Sequence, residues 1–240
     1  MPKPQIEVCF SPLLYEKYHN EHNIVVVCDI LRATTSICTA LGNGATEVIP
    51  VRSVEEARKY KERGYILAGE RDGKTLDFAD FGNSPFNFTP ERVKGKPVAY
   101  STTNGTKAVF LGKDSRGVIV GAFINLMAVA RYLMRQQQNV LVLCAGWKGK
   151  FCLEDSIFAG ALAEILIKDG AFAIECDATN AALDLWSIAK QYLMEYVQKM
   201  AQRERLRKLG LDDVLDFCFT LNTSDIVPVL KEDRLIPVKL

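Results

Sequence analysis

The sequence predicts a three-layer α/β/α fold with a mostly parallel or mixed sheet, and three observations predict it. Short runs of apolar, β-branched residues, such as 24–28 and 140–144, are typical of buried parallel strands. These runs alternate with helical patterns, which is the order of βαβ units. Of the 240 residues, 48% are hydrophobic and 25% are charged, so the chain can bury a sizeable core.

Glycines and helix-capping residues indicate where the helices begin and end. Gly42 and Gly44 end the first long helix, and Ser53-Val54-Glu55-Glu56 is a capping box that opens the next. Strands are predicted over residues 6–10, 24–28, 46–51, 65–68, 98–100, 117–120, 139–144 and 171–174, and a closing hairpin over 226–230 and 235–238. Helices are predicted to end near 41, 64, 111, 137 and 167, followed by an amphipathic segment over 178–209 and a short helix over 212–219.

Residues 70–96 show no clear periodicity and carry several glycines and prolines. A connection of this length in a compact domain is usually functional or disordered. Its four phenylalanines argue against disorder, because they can anchor the segment to the body of the protein. We therefore expect residues 70–96 to form an ordered loop, and the segment is the natural lid candidate.

The chain shows no linker or low-complexity tract, so we predict a single domain over residues 1–240. Two strand-to-helix corners resemble each other, Asp29 to Thr35 and Ser101-Thr102-Thr103. This similarity hints at two similar lobes, about 1–115 and 116–240.

The composition excludes several classes of function. A net charge of +1 gives no reason to expect nucleic acid or an anionic membrane as partner. No apolar run reaches the roughly 20 residues of a membrane span, and the first residues lack the apolar core of a signal peptide. We therefore expect a cytoplasmic protein.

Cysteine and histidine usage limits the possible metal chemistry. The seven cysteines form no Cys-x-x-Cys pair and mostly lie in apolar runs, so we interpret them as buried thiols. His19 and His22 are the two histidines, which argues against a histidine-rich metal site or a serine hydrolase triad. A metal ion would have to be held by carboxylates, and this points to Mg²⁺.

The stretch 98–107 is the most informative corner. An apolar strand breaks into Ser101-Thr102-Thr103-Asn104-Gly105-Thr106 and resumes as a helix. Such a corner presents backbone N–H groups and hydroxyl donors where the helix dipole attracts anions. The alternative is that Thr103 or Asn104 simply caps the helix.

Similar corners follow other predicted strands, and open α/β sheets place ligands beyond the carboxyl ends of their strands. That edge would collect four acids, two arginines and several helix-start donors, which suits a phosphate ester with Mg²⁺. The members are Asp29, Arg32, Thr34, Thr35, Glu70, Arg71, Thr102, Thr103, Asn104, Asn125, Gly146, Glu154 and Asp155.

Each of these residues also has an ordinary structural interpretation. Asp29 could cap a helix, and Glu70 with Arg71 could form a surface ion pair. Glu154 suits an acid in a first helical turn, and Asn83-Ser84-Pro85 suits a turn. The Walker A loop, the paired aspartates of haloacid dehalogenase phosphatases and the dinucleotide glycine fingerprint are all absent from the sequence.

Five motifs in order resemble those of 2-phosphosulfolactate phosphatases. They are Asp29-Ile30-Leu31-Arg32-Ala33-Thr34-Thr35, Gly69-Glu70-Arg71, Asp80-Phe81-Gly82-Asn83-Ser84-Pro85, Thr102-Thr103-Asn104-Gly105-Thr106, and Ala145-Gly146 followed by Glu154-Asp155. The resemblance runs from about residue 23 to the end. It implies a Mg²⁺-dependent phosphatase that hydrolyses 2-phosphosulfolactate to sulfolactate on the route to coenzyme M, with an α/β fold of its own.

These observations together give every candidate residue a role. Mg²⁺ would be held by Asp29, Glu70, Glu154 and Asp155. Catalysis would use Asp29, Arg32, Arg71 and Asp155. Substrate would be bound by Thr34, Thr35, Asn83, Ser84, Thr102, Thr103, Asn104, Gly105, Thr106, Asn125 and Gly146.

Two questions stay open at this point. The nucleophile could be an activated water or Asp29 itself, and the physiological substrate could be another small phosphorylated hydroxy acid. The alternative function is a non-catalytic binding protein for a phosphorylated or sulfonated metabolite. The amphipathic segment 178–209 is compatible with a homo-oligomer, such as a dimer.

Overall fold

The apolar runs form the strands of one sheet in a computed structural model, which describes residues 3–168 and 170–239. Buried side chains are the reason for most of these strands, since β2 and β8 are buried at every position. The strands are β1 (Gln5–Cys9), β2 (Ile24–Cys28), β3 (Glu47–Pro50), β4 (Ile66–Arg71), β5 (Lys74–Thr75), β6 (Pro97–Ser101), β7 (Gly117–Gly121), β8 (Val140–Cys144), β9 (Ala173–Ile174), β10 (Ile226–Lys231) and β11 (Arg234–Lys239).

Helices connect most of these strands. The helices are α1 (Tyr15–Tyr18), α2 (Ala33–Gly42), α3 (Val54–Glu62), α4 (Pro90–Val93), α5 (Gly105–Leu111), α6 (Leu126–Gln136), α7 (Leu153–Lys168), α8 (Asp177–Ala189), α9 (Leu193–Val197), α10 (Ala201–Lys208) and α11 (Leu215–Cys218). The capping box that opens α3 is confirmed, because the Ser53 hydroxyl accepts a hydrogen bond from the backbone N–H of Glu56.

The sheet contains two parallel groups of strands separated by a hairpin. Its order is β5-β4-β6-β3-β11-β10-β7-β2-β8-β1-β9. Strands β4, β6 and β3 are parallel to one another, as are β7, β2, β8, β1 and β9. The β10–β11 hairpin is antiparallel to the neighbour on each side. The predicted α/β fold with a mixed sheet is therefore confirmed.

The two parallel groups run in opposite directions, because two strands of alternating direction lie between them. The carboxyl ends of β2 and β6 nevertheless meet. A Cβ atom built on Gly105, just after β6, would lie 3.0 Å from Asp29 Oδ2, just after β2. The hairpin joins its two neighbours through the pairs Val229–Ile119 and Leu235–Val48, and a twisted sheet can bend at such short junctions.

Helix α2 lies at the centre of the molecule and packs against β10, β7 and β3. Eight of its ten residues are buried, since its sequence, Ala-Thr-Thr-Ser-Ile-Cys-Thr-Ala-Leu-Gly, is small or apolar on nearly every face. The helix begins five residues after β2 ends, so its first turn is fixed beside the corner that contains Asp29.

The structure differs from the sequence-based expectation over residues 178–209. The single amphipathic segment is divided into α8, α9 and α10. Tyr192 and Met200, which precede α9 and α10, have non-helical backbone angles. The division lets α10 turn back across the carboxyl end of β2, where Gln202 donates a hydrogen bond to the backbone oxygen of Leu31.

Residues 70–96 form an ordered connection through their aromatic side chains. The rings of Phe81 and Phe88 pack edge to face with centres 5.1 Å apart, and Phe88 is buried against Tyr100 of β6. The segment also contains β5 and α4. The expected aromatic anchors are therefore present.

The two lobes suggested by the sequence, about 1–115 and 116–240, do not correspond to the two parallel groups of strands. β1 and β2 of the first lobe pair with β8 of the second lobe rather than with β3 to β6. The single-domain boundary stays a prediction. None of the helices within residues 3–168 and 170–239 combines the length and apolarity needed to cross a membrane.

Candidate functional site

The corner after β2 is shaped by its own backbone and hydroxyl groups. The Asp29 N–H donates to Thr34 Oγ1 at 3.0 Å, and the Thr34 N–H donates to the Asp29 carbonyl at 2.9 Å. The Thr35 hydroxyl donates to the Ile30 carbonyl at 2.9 Å. Both threonines are fully buried, and their hydrogen bonds hold the corner that presents Asp29.

Arg32 is a buried cation with an unused donor. Its side chain is 4% exposed, and Nη2 donates to Asn83 Oδ1 at 2.6 Å. Asn83 is held in turn by the Ser36 hydroxyl, which donates to its carbonyl at 2.7 Å. Nη1 of Arg32 is buried without a partner. Burial lowers the pKa of the guanidinium. A buried donor without a partner is costly, and an anionic ligand would accept a hydrogen bond from this one.

The corner after β6 is stabilised in a similar way. Thr102 Oγ1 accepts the Thr106 N–H at 3.2 Å, and the Thr106 hydroxyl donates to the Thr102 carbonyl at 3.1 Å. Asn104 Oδ1 accepts the Lys148 N–H at 3.1 Å and so joins this corner to the one after β8. Because Gly105 lies against Asp29 and Ala33, the two corners form one site.

Glu70 binds protein groups with both carboxylate oxygens. Oε1 accepts the Thr103 N–H at 2.7 Å, and Oε2 accepts the Gly73 N–H at 2.7 Å and the Thr103 hydroxyl at 3.2 Å. Arg71 donates to the Glu70 carbonyl and to Ser101 Oγ, at 2.7 and 2.9 Å. Both residues thus tie β4 and its turn to the corner after β6.

Asp155 joins two corners of the site. Its Oδ1 accepts the Ile30 N–H and its Oδ2 accepts the Gly146 N–H, both at 2.9 Å. Gly146 has a positive φ, and a Cβ at that position would lie 2.2 Å from the Lys150 carbonyl oxygen. Glycine is therefore required here for the N–H to reach Asp155.

Buried acids lie close together around Asp29. Burial, and then the charge of Asp155, raise the pKa of Asp29 well above its ordinary value, although backbone N–H groups of Ala33 and Gly105 oppose the shift. Burial is also the main reason that the pKa values of Glu154 and Asp155 are raised, with a further contribution from their neighbouring acids. These buried acids therefore favour the binding of a cation or a proton beside them.

Asp29 and Arg32 open into a cavity of about 270 Å³. Of the predicted residues, Asn83, Thr102, Asn104 and Glu70 also line it. The remaining members of the wall are Leu31, Ala33, Asp72, Gly73, Trp147, Gln202, Arg205, Leu206, Lys208 and Leu209. A larger cavity of about 560 Å³ borders α2 at Cys38 and Gly42, but neither Asp29 nor Arg32 lines it.

The other predicted residues lie outside the cavity wall. They are Thr34, Thr35, Arg71, Ser84, Thr103, Gly105, Thr106, Asn125, Gly146, Glu154 and Asp155. Most of them support the corners through the hydrogen bonds above. Asn125 is the most distinct, since its amide bonds the backbone of Ala122, Val120 and Ile226 at the end of β7.

Sequence reasoning missed the wall that α10 supplies. The basic run from Arg203 to Lys208 was a visible signal, but its position at a helix C-terminus made dipole compensation the simpler interpretation. Trp147 was also missed, although it lies in the glycine-rich turn after β8.

Over the described ranges 3–168 and 170–239, no three histidine, cysteine, aspartate or glutamate side chains converge as a metal cage. Mg²⁺ commonly uses only one or two carboxylates and completes its shell with water and substrate phosphate. The acid-rich surroundings of Asp29 fit this open type of site, and the four predicted ligands do not form a closed one.

Comparison with known proteins agrees with this arrangement of motifs. The family model described as 2-phosphosulpholactate phosphatase matches residues 9–233. A relative from Caldanaerobacter subterraneus, described as a probable 2-phosphosulfolactate phosphatase, is 39% identical over 228 residues, which are 90% of this chain and 94% of the relative.

Two further relatives carry the same description. The protein from Gloeobacter violaceus is 38% identical over 229 residues, covering 93% of this chain and 94% of its own. The protein from Thermotoga maritima is 36% identical over 210 residues, covering 88% and 90% respectively. The chain therefore belongs to the 2-phosphosulfolactate phosphatase family.

Proposed function

We propose that the protein hydrolyses a phosphomonoester of a small hydroxy acid, such as 2-phosphosulfolactate, to the free hydroxy acid and phosphate. The observation that carries this proposal is the buried Arg32 guanidinium with an unpartnered Nη1, beside Asp29 in a cavity of small-molecule size. The family assignment supports the same activity. With it we propose a cytoplasmic enzyme that supplies sulfolactate for coenzyme M.

Arg32 would bind the phosphoryl group. Its planar guanidinium suits phosphate oxygens, and the hydrogen bond from Nη2 to Asn83 fixes its orientation. Thr102 and Asn104 line the same cavity and carry polar groups that can orient the ester. Their positions are fixed by the rigid corner after β6, so little order would have to be gained on binding.

Asp29 would act at the phosphorus atom in one of two ways. As a base, it would take a proton from the water that attacks phosphorus while the ester oxygen leaves. As a nucleophile, one carboxylate oxygen would form the new bond to phosphorus while the bond to the ester oxygen breaks and that oxygen leaves with a proton from solvent. Water would then hydrolyse the acyl phosphate, which releases phosphate and restores the carboxylate. The raised pKa of Asp29 makes its carboxylate a stronger proton acceptor, and its access to the cavity supports either role.

We also propose that Mg²⁺ assists, held by Asp29 with Glu154, a buried acid whose pKa is raised in part by the charge of Asp29. When bound, the ion would supply positive charge to the phosphoryl oxygens. The raised pKa values of these buried acids support a cation at this place. Glu70 and Asp155, the other predicted ligands, already accept two or more hydrogen bonds each from protein groups.

The test is release of inorganic phosphate from 2-phosphosulfolactate by the purified protein, with Mg²⁺ and with EDTA. We expect turnover with Mg²⁺ and at least a tenfold loss with EDTA that added Mg²⁺ restores. Full turnover in EDTA would overturn the metal proposal. Binding of the ester without any phosphate release would instead favour the alternative, a non-catalytic binding protein.

A further inference from the structure

Helix α10 brings a second arginine to the cavity. Gln202, Arg205 and Lys208 of α10 line the wall, together with Leu206 and the adjoining Leu209. Arg32 comes from the corner after β2, so the cavity has cationic groups from two separate elements.

Arg205 is held in position by protein contacts. Its Nη1 donates to Gln202 Oε1 at 2.8 Å, and Gln202 Nε2 donates to the Leu31 carbonyl at 3.3 Å. The guanidinium carbon lies 5.0 Å from the centre of the Trp147 ring, within cation–π range. These contacts leave guanidinium donors free, because two of the three nitrogens make no hydrogen bond in the described structure.

The other cations of α10 are paired with an acid of the same helix. Arg203, Arg207 and Lys208 each lie within 4.0 Å of Glu204. Arg205 makes none of the ion pairs found among the described residues. Glu154 is close enough for Arg205 to lower its pKa but lies outside ion-pair distance.

We propose that Arg205 binds a second anionic group of the substrate, a carboxylate or a sulfonate, while Arg32 binds the phosphoryl group. This inference rests on the proposed phosphatase function and assigns a residue to the recognition of its substrates. Those substrates are small phosphomonoesters that carry another acid group a few bonds from phosphorus. Arg205 is then the residue that distinguishes them from esters of neutral alcohols.

The test compares two esters of similar size, of which only the first carries this second charge, phosphoglycolate and 2-hydroxyethyl phosphate. We expect Arg205→Gln to lower kcat/KM for phosphoglycolate by about 10- to 100-fold, mainly through KM, because a hydrogen bond to a charged group is lost. The value for 2-hydroxyethyl phosphate should change by less than about threefold in the same variant. Arg205→Lys, which keeps the charge, should lie between wild type and Arg205→Gln.

Arg207→Gln is the matched control, since Arg207 lies on the same helix, is exposed and pairs with Glu204 outside the cavity. It should leave both values unchanged. An equal loss with both esters in Arg205→Gln would overturn the inference.

If wild type releases phosphate from neither these esters nor 2-phosphosulfolactate, the proposed function fails, and calorimetric binding of sulfolactate then decides the role of Arg205. At least tenfold weaker binding in Arg205→Gln than in Arg207→Gln would support it. Equal binding, or no binding to wild type, would overturn it.

Discussion

Arg32 and Arg71 lie near the same site but differ in their hydrogen-bond partners. Arg71 donates to the Glu70 carbonyl and the Ser101 hydroxyl, which are both protein groups. Arg32 donates to Asn83 from one nitrogen, while the other has no partner. The geometry therefore favours Arg32 as the ligand-binding arginine and Arg71 as a support for the corner after β6.

Exchanging each arginine for lysine tests this difference. Arg32→Lys should lower kcat/KM for the phosphoester by about 100-fold, because lysine loses the planar fork that binds phosphate. Arg71→Lys should lower it by less than about tenfold and reduce the melting temperature. The measurements are steady-state phosphate release and thermal unfolding. A larger kinetic loss in Arg71→Lys would return Arg71 to the catalytic role predicted from the sequence.

We expect Asp29 to be required for turnover and to lower the stability of the protein. Asp29→Asn removes a carboxyl group whose charged form burial and Asp155 disfavour, so we expect the free energy of unfolding to rise by about 1 kcal/mol without metal at pH 7. Turnover should fall at least about 100-fold, since proton transfer or attack by the carboxylate is lost. Urea titration and phosphate release measure the two effects. Retained turnover would remove Asp29 from the mechanism.

At the scale of elements, close backbone approach explains several glycines. Gly160 lies in the middle of α7, where a Cβ atom would stand 2.0 Å from the carbonyl oxygen of Ala182 in α8. Neither helix can move away easily, because both have one face buried against the sheet. Since Glu154 and Asp155 lie in the first turn of α7, a shift of α7 would also disturb the site.

We expect Gly160→Ala to destabilise the protein by about 2–3 kcal/mol, from overpacking at a helix contact. Gly117→Ala is the control, because a Cβ on Gly117 meets nothing within 4 Å and its φ is not positive. The free energy of unfolding from urea titration measures both. Equal stability of the two variants would contradict the close packing of α7 against α8.

The strands and their corners could be predicted from the sequence because their signals are local. The run 24–28 is buried over its whole length, and Asp29 follows it directly. The contribution of α10 could not be predicted, because nothing in the local sequence indicates that Arg205 meets Trp147 or that Gln202 meets Leu31. The hydrogen bonds that join Glu70 to Thr103 and Asp155 to Ile30 could not be predicted for the same reason, since each joins two different corners.

At the scale of the whole molecule, the β10–β11 hairpin links the two parallel groups. The sequence predicted the hairpin but not its place, since pairing of strands far apart in sequence has no local signal. Its buried residues, Val227 and Leu235, join the main core. The homo-oligomer predicted from residues 178–209 stays a prediction. Leu185 and Leu193 pack against the core of this chain, and Ile188 is exposed.

Leu235→Ala should therefore lower the free energy of unfolding by about 2–4 kcal/mol, through lost burial and the cavity left behind. Leu235 is fully buried and pairs with Val48 of β3. Val238→Ala, on the same strand but partly exposed, should cost less than about 1.5 kcal/mol. Urea titration followed by circular dichroism compares the two. A cost for Leu235→Ala no greater than that for Val238→Ala would show that the hairpin is not an essential link.

The position of this hairpin also has a consequence for biosynthesis. β10 and β11 are translated after all the strands they separate, so a nascent chain must hold two unfinished half-sheets with open edges until those last strands leave the ribosome. Chaperones that shield exposed strands would act in that interval. Premature termination before residue 226 would yield a chain that lacks the two strands joining its parallel groups.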